Sequence, residues 1–130
     1  MIALDTCVLA RWLIRDDPGQ AAIADTLLAQ PCLLVPSVLV ELSWVLKGAG
    51  AMSRDQMARA FAQLLGLPTV YVEREAEIRW AIEHFASNGD LADLIHIATS
   101  ADADSFVTFD QRLVRQAGPL APVKPVLASS

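Results

Sequence analysis

The sequence predicts an α/β fold: a mostly parallel sheet of four to five strands, covered on both faces by helices in three layers, α/β/α. Three observations carry this. Short apolar runs alternate with segments of helical period along the whole chain, and strands separated by helices pair in parallel and are buried on both faces. Hydrophobic residues make up 54 % of the chain and are spread evenly, so one layered domain is expected rather than a core with a tail. The length, 130 residues, fits one domain that buries a core without staples. That domain is expected over residues 1–127, with 128–130 frayed.

The elements follow in order. Ile2 to Asp5 reads as a short buried strand ending in an acid. Thr6 to Arg15 has helical period, with Val8, Leu9, Trp12 and Leu13 on one face. Asp17-Pro18 opens a second helix, Asp as N-cap and Pro at the first helical position, running to about Gln30. Cys32 to Val35 is a second strand, and Pro36-Ser37 begins a helix ending near Gly48 or Gly50. Ser53-Arg54-Asp55-Gln56 matches a capping box and opens a helix up to about Gly66. Thr69 to Val72, β-branched and aromatic, is the third strand. Arg74 to Ser87 is helical and stops at Asn88-Gly89. Asp90 starts a helix whose buried stripe is Leu91, Leu94, Ile95, Ala98 and Ala101. Ser105 to Phe109 is the fourth strand, and Asp110 caps a short helix ending at Gly118-Pro119. Val123 to Val126 is a weak strand, at an edge because Pro125 is tolerated only there.

Composition narrows the function. Net charge is −5, which argues against tight non-specific nucleic-acid binding but not against a nuclease, whose acidic metal site adds negative charge. Arg11, Arg15, Arg112 and Arg115 can still form a local basic rim, the candidate nucleic-acid contact. The start lacks a basic region before its first acid, so no signal peptide is expected, and charged residues interrupt every apolar stretch before it could span a membrane. Cys7 and Cys32 form no C-x-x-C pair, so reduced thiols and a cytoplasmic location are expected.

Several acids are placed unlike ordinary surface charge. Asp5 and Asp110 each follow an apolar strand, at the carboxyl end, where open α/β sheets bind ligands. Glu41 lies early in a helix with almost wholly apolar surroundings, costly for an isolated charge unless it faces a site. Asp90 and Asp93, three apart, share a face at one helix start. Asp90 and Asp110 read equally as helix N-caps; Asp93, inside its helix, does not. Carboxylates converging in one cleft repel, and a hard divalent cation relieves them. Mg²⁺, or Mn²⁺, takes such oxygen ligands and suits phosphodiester hydrolysis by a metal-activated water. The histidines, His84 and His96, form no ligand pair.

At this point the chain resembles a PIN-domain ribonuclease, specifically the VapC-type toxins of bacterial type II toxin–antitoxin systems. The resemblance rests on Leu4-Asp5-Thr6-Cys7-Val8-Leu9, on Arg15-Asp16-Asp17-Pro18, on Pro36 to Leu42 with its Glu41, on Leu91 to Thr99 with its Asp93, and on Val107-Thr108-Phe109-Asp110. Each motif is weak alone; the ordered set spans nearly the whole chain. It implies a PIN-like fold with Asp5, Glu41, Asp93 and Asp110 as the catalytic, metal-holding quartet. Thr6, Thr108 and Asp90 would support them from behind. It implies an RNA substrate, a cognate antitoxin through which alone DNA would be met, and a homodimer. Cys7 stands where the family often has Asn, and His96 where a small residue is common.

Two other α/β readings fail on single positions. A receiver domain needs an Asp ending the third strand, which Thr69 to Val72 lacks; a haloacid-dehalogenase-type phosphatase needs a second Asp where Cys7 stands. A PIN-like binding or regulatory module without turnover, and a nuclease acting on DNA, remain as alternatives. Trp12, Trp44 and Trp80, with a mean hydropathy of +0.39, predict that some apolar helix face stays exposed on a monomer and marks an interface; Trp44 is expected in the core, with Trp12 and Trp80 open.

Overall fold

Five strands and seven helices alternate in the computed structural model, which describes residues 1–129. In chain order they are β1 (Ile2–Ala3), α1 (Thr6–Ile14), α2 (Pro18–Leu28), β2 (Cys32–Leu33), α3 (Pro36–Gly48), α4 (Arg54–Leu65), β3 (Val70–Tyr71), α5 (Glu75–Ser87), α6 (Leu91–Thr99), β4 (Phe106–Thr108), α7 (Gln111–Gln116) and β5 (Pro125–Leu127). Every strand pair is parallel, as the intervening helices require. The ladders are two: β1-β2-β3 and β4-β5. They fall in two compact units, Met1–Glu73 and a second from Arg74 onward.

In the first unit, Ile2 faces Cys32 and Cys32 faces Val70 across the ladder. The strands are shorter than the apolar runs that predict them. Bonding continues past their ends, from Leu4 N–H to the Leu33 carbonyl and from Leu34 N–H to that of Tyr71. The helix starts follow the local sequence signals. Asp17 accepts from Gln20 N–H with Pro18 at the first position, and Ser53 and Gln56 cap each other's backbone. Arg15 takes a left-handed conformation, φ 58°, and ends α1. α1 packs on α2 and α3, and α3 on α4. Leu9, Leu39, Leu42, Leu46, Phe61 and Leu64 are fully buried there, each contributing about 1.5–3 kcal/mol of burial.

The stripe of α3 is Leu39, Leu42, Ser43 and Leu46. Trp44 falls one residue off that stripe and stands 64 % exposed, which corrects its expected place in the core. Trp12 and Trp80 are half-buried.

In the second unit α5 and α6 pack together, burying Ile78, Ala81, Ile82 and Phe85 on one and Leu91, Leu94, Ile95, Ile97 and Ala98 on the other. Ala101, expected on this stripe, lies beyond the end of α6 and is half-buried. A smaller cluster joins Ile97, Leu113, Ala117 and Val123, with Trp80 and Phe106 against it. Arg74, left-handed at φ 57°, precedes α5 and is ion-paired with Asp102. Phe106 pairs with Pro125 and Thr108 with Leu127. Ala128 N–H donates to the Thr108 carbonyl at 2.7 Å, one residue past β5. Of the closing residues expected to fray, Ser130 lies outside the described residues. Among the described residues no helix is long and apolar enough to cross a membrane.

Candidate active site

Of the acids singled out in the sequence, Asp5 and Asp110 stand at the starts of helices that follow strands, Asp90 and Asp93 at the start of α6, which follows α5, and Glu41 inside α3; Asp5, Asp90 and Asp110 serve the backbone as N-caps. Asp5 is the N-cap of α1, its Oδ1 accepting from Thr6 N–H at 2.8 Å. Asp90 caps α6, its Oδ1 accepting from Asp93 N–H at 3.1 Å. Asp110 caps α7, its Oδ1 accepting from Leu113 N–H at 3.1 Å. Each cap uses one carboxylate oxygen and aligns the other. Capping and ligand binding are therefore compatible roles here, since a cap fixes the carboxylate's direction.

In the first unit Thr6 joins two of the acids. Its backbone N–H bonds Asp5, and its buried hydroxyl donates to Glu41 Oε2 at 2.9 Å. Glu41 itself is exposed, so the apolar run around it imposes no burial; Leu39 and Leu42 turn inward while Glu41 turns out. Cys7 is exposed, its Sγ 3.7 Å from Asp5 Oδ2, so the thiol borders the carboxylate closely but bonds it weakly. A groove of about 410 Å³ beside it runs between α1 and α2, past Val8, Arg11, Ile23 and Leu27.

In the second unit Asp93 is the strained member. Burial, then the negative charges of Asp90 and Asp110, hold its carboxyl above the usual carboxylate range, while His96 opposes them. Asp110 is steadied from the strand side, where its N–H donates to Thr108 Oγ1 at 3.0 Å. The expected support of Thr108 thus reaches Asp110 through the main chain. Asp90, for its part, touches Asp93 through the helix cap.

The basic rim divides. Arg11 bonds Asp16 at 2.7 Å, and Arg15 bonds both oxygens of Asp25 at 2.9 and 2.8 Å; these bonds hold both carboxyls below their usual range. Arg112 and Arg115 are exposed, and no ion pair engages either among the described residues. His84 is committed, with Nε2 2.6 Å from the Gln116 carbonyl and its ring 5.4 Å from that of Trp80. Because a carbonyl only accepts, Nε2 carries the proton.

Among the described residues no group of three or more His, Cys, Asp or Glu side chains stands close enough to hold a metal ion. Within the first unit Thr6 links Asp5 and Glu41; within the second the charges of Asp90 and Asp110 reach Asp93. Their chemistry nonetheless fits a hard divalent cation. All donors are carboxylate oxygens, one or two of which suffice for Mg²⁺ alongside waters and substrate phosphate. A cation there would also oppose what holds the Asp93 carboxyl up, its burial first and then the charges of Asp90 and Asp110.

Phe109, between Thr108 and Asp110, carries no role in the sequence reading and is 89 % exposed. The signal for it was available. Phe106 and Thr108 turn inward, so alternation puts Val107 and Phe109 together on the outer face.

Compared with known families, residues 2–119 match the family model described as PIN domain. No curated protein matches the chain.

Proposed function

The chain belongs to the PIN-domain family, whose members are generally nucleases, and from that premise we propose that it is a metal-dependent endoribonuclease, the toxin of a VapBC-like pair. The observation that carries this is the placing of acids at strand ends: Asp5 follows β1 and Asp110 follows β4, each as the N-cap of the next helix. A strand end is where an α/β fold receives its ligand. The test is RNA cleavage that needs Mg²⁺ or Mn²⁺ and is abolished by Asp93→Asn. Metal-independent cleavage, or a fully active D93N, would reject the proposal.

Asp5, Glu41, Asp93 and Asp110 are the residues that would hold the cation. When bound, it supplies positive charge against a phosphoryl oxygen and lowers the pKa of coordinated water. The chain's own residues do the rest. Thr6 holds Asp5 and Glu41 in fixed directions, and Thr108 fixes the backbone of Asp110. Asp90 holds the first turn of α6, and so Asp93, in place. Arg112 and Arg115 stand free to neutralise RNA phosphates; Arg11 and Arg15 would first have to leave Asp16 and Asp25.

A PIN-like module without turnover would keep the same caps, since Asp5, Asp90 and Asp110 all serve helix starts. Turnover separates the two readings, and a DNA oligonucleotide assayed alongside RNA separates the third. The partners belong to the same proposal: a homodimer, and an antitoxin, in a cytoplasm where both thiols stay reduced. An antitoxin Arg placed among the acids would replace the cation's charge bidentately and leave no Lewis acid. Its peptide should then bind more weakly as Mg²⁺ rises; calorimetric affinity indifferent to Mg²⁺ would place inhibition elsewhere.

A further inference from the structure

We propose that Phe109 is a base-stacking platform, so that the substrate is gripped as a single strand with one unstacked base on the Phe109 ring. The proposal rests on the nuclease reading above and names the substrate form at that same site. An isolated exposed apolar side chain is ordinary; three things set this one apart.

The first is that its backbone is fixed on both sides while its ring is free. Before it, Thr108 pairs with Leu127, and its carbonyl accepts from Ala128 N–H. After it, Asp110 N–H bonds Thr108 Oγ1, and Asp110 Oδ1 receives Leu113 N–H. The ring nevertheless stands 89 % exposed. A rigid base under a free ring costs little entropy when a flat partner lands on it.

The second is position. Phe109 directly precedes Asp110, whose charge reaches Asp93. Ring and carboxylate thus stand on consecutive residues, at the end of one strand. The third is charge. Arg112 follows three residues on, exposed and free of ion pairs among the described residues. An aromatic ring for the base and a guanidinium for the phosphate are the two components of a single-strand groove.

The neighbours also favour a nucleobase over an apolar protein face. Val107 shares the outer face and is 61 % exposed, but Asp110, Gln111 and Arg112 are exposed too, and an apolar partner covering Phe109 would have to desolvate them. A base offers its π-face to the ring and leaves the polar groups wet or paired. In a duplex, the base faces are already occupied by their neighbours, so paired RNA gains nothing from Phe109.

The test compares wild type with Phe109→Leu and Phe109→Tyr. The first keeps an apolar side chain and removes the flat face; the second keeps the face. Both should melt as wild type does, because the ring is outside the core. The probe is fluorescein-labelled oligoadenylate, single-stranded or annealed to oligouridylate, read by anisotropy with Mg²⁺ present, beside cleavage kinetics. The expected result is a Kd for the single strand weakened roughly 5- to 100-fold in F109L, the range one lost base–aromatic stack implies. F109Y should stay near wild type, the duplex should be insensitive, and KM should follow Kd while kcat moves less.

A wild type that cleaves while F109L binds the strand equally well overturns the stacking proposal and leaves the nuclease standing. Binding that depends on Phe109 without any cleavage does the reverse. A wild type that neither binds nor cleaves removes both. F109L that dissociates a dimer in light scattering, with Kd unchanged, assigns the ring to a contact between copies and overturns the proposal.

Discussion

The hydroxyl of Thr6 donates to Glu41 Oε2 at 2.9 Å while the backbone N–H of the same residue donates to Asp5 Oδ1. One residue thereby sets the direction of two acids that are 36 positions apart in the chain (41 − 5). Thr6→Val keeps the shape and the N–H bond but removes the hydroxyl. A hydrogen bond to a charged group contributes about 1.5–3 kcal/mol, so cleavage should fall by roughly ten- to a hundredfold if that orientation is felt in the transition state. Thr6→Ser should recover most of it. Equal kinetics for wild type and T6V would mean that Glu41 needs no such support.

The pressure on Asp93 has a pH signature. Its carboxyl titrates above the usual range in the folded protein. The fold therefore binds a proton that the unfolded chain has released, and stability is full below the ordinary aspartate value and lost as pH rises through the raised one. In metal-free buffer the melting temperature of wild type should fall relative to that of Asp93→Asn as pH rises above about 4, whatever the opposite contributions of Asp16 and Asp25 add to both proteins. Mg²⁺ added at neutral pH should raise the melting temperature of wild type more than of D93N. Parallel pH profiles for the two proteins in EDTA would contradict this.

Ligands and caps should part under conservative substitution. Asp5→Asn, Glu41→Gln and Asp93→Asn should each nearly abolish cleavage in a folded protein. Asp110→Asn should cost less, and Asp90→Asn least, because Asn caps a helix almost as well as Asp. Circular dichroism checks the fold, and cleavage rates rank the variants. If D90N is as inactive as D93N, the third ligand has been placed one helical turn too late.

Cleavage should leave a 5′-phosphate and a 3′-hydroxyl. A 2′,3′-cyclic product needs a general base for the 2′-hydroxyl, and the histidines do not provide a pair: His84 is held by the Gln116 carbonyl, and His96 stands alone on α6. End-group analysis of the cut RNA decides it, a cyclic phosphate counting against the proposed chemistry.

The dimer has a place to begin. Trp44 stands 64 % exposed in the middle of α3, and an indole left open in this way is a large apolar area for a partner to cover. A two-fold dimer covering it should give the doubled mass in light scattering, and Trp44→Ser should shift that mass towards one chain. A wild type that stays monomeric at tens of micromolar, where weak dimers already form, would end this expectation.

Much of this was legible beforehand because the signals were local. Asp17-Pro18, Ser53 with Gln56, Asp90 and Asp110 mark helix starts through bonds to residues within one turn, and all four appear where the sequence puts them. Features set by partners distant in sequence were not legible. The bond from Thr6 to Glu41 depends on how α1 packs against α3, which no spacing encodes. Trp44 was misplaced for a related reason: hydrophobicity says that a residue would gain from burial, but only the phase of Leu39, Leu42 and Leu46 says which side is inside. The division of the arginines had the same cause, since Arg15 meets Asp25 only once α2 has folded back alongside α1.

Pro125 gives β5 a second property. The Lys124 carbonyl and the Ala128 N–H both reach β4, so by alternation Pro125 and Leu127 turn their polar groups to the opposite edge. On that edge the strand has lost a donor, because proline has no N–H. An additional strand laid alongside would find Leu127 able to bond and Pro125 not, and its register would break within the three residues of β5. On its β5 side the β4–β5 ribbon is thereby a poor template for extension, a safeguard against pairing along that edge in a chain whose mean hydropathy is +0.39.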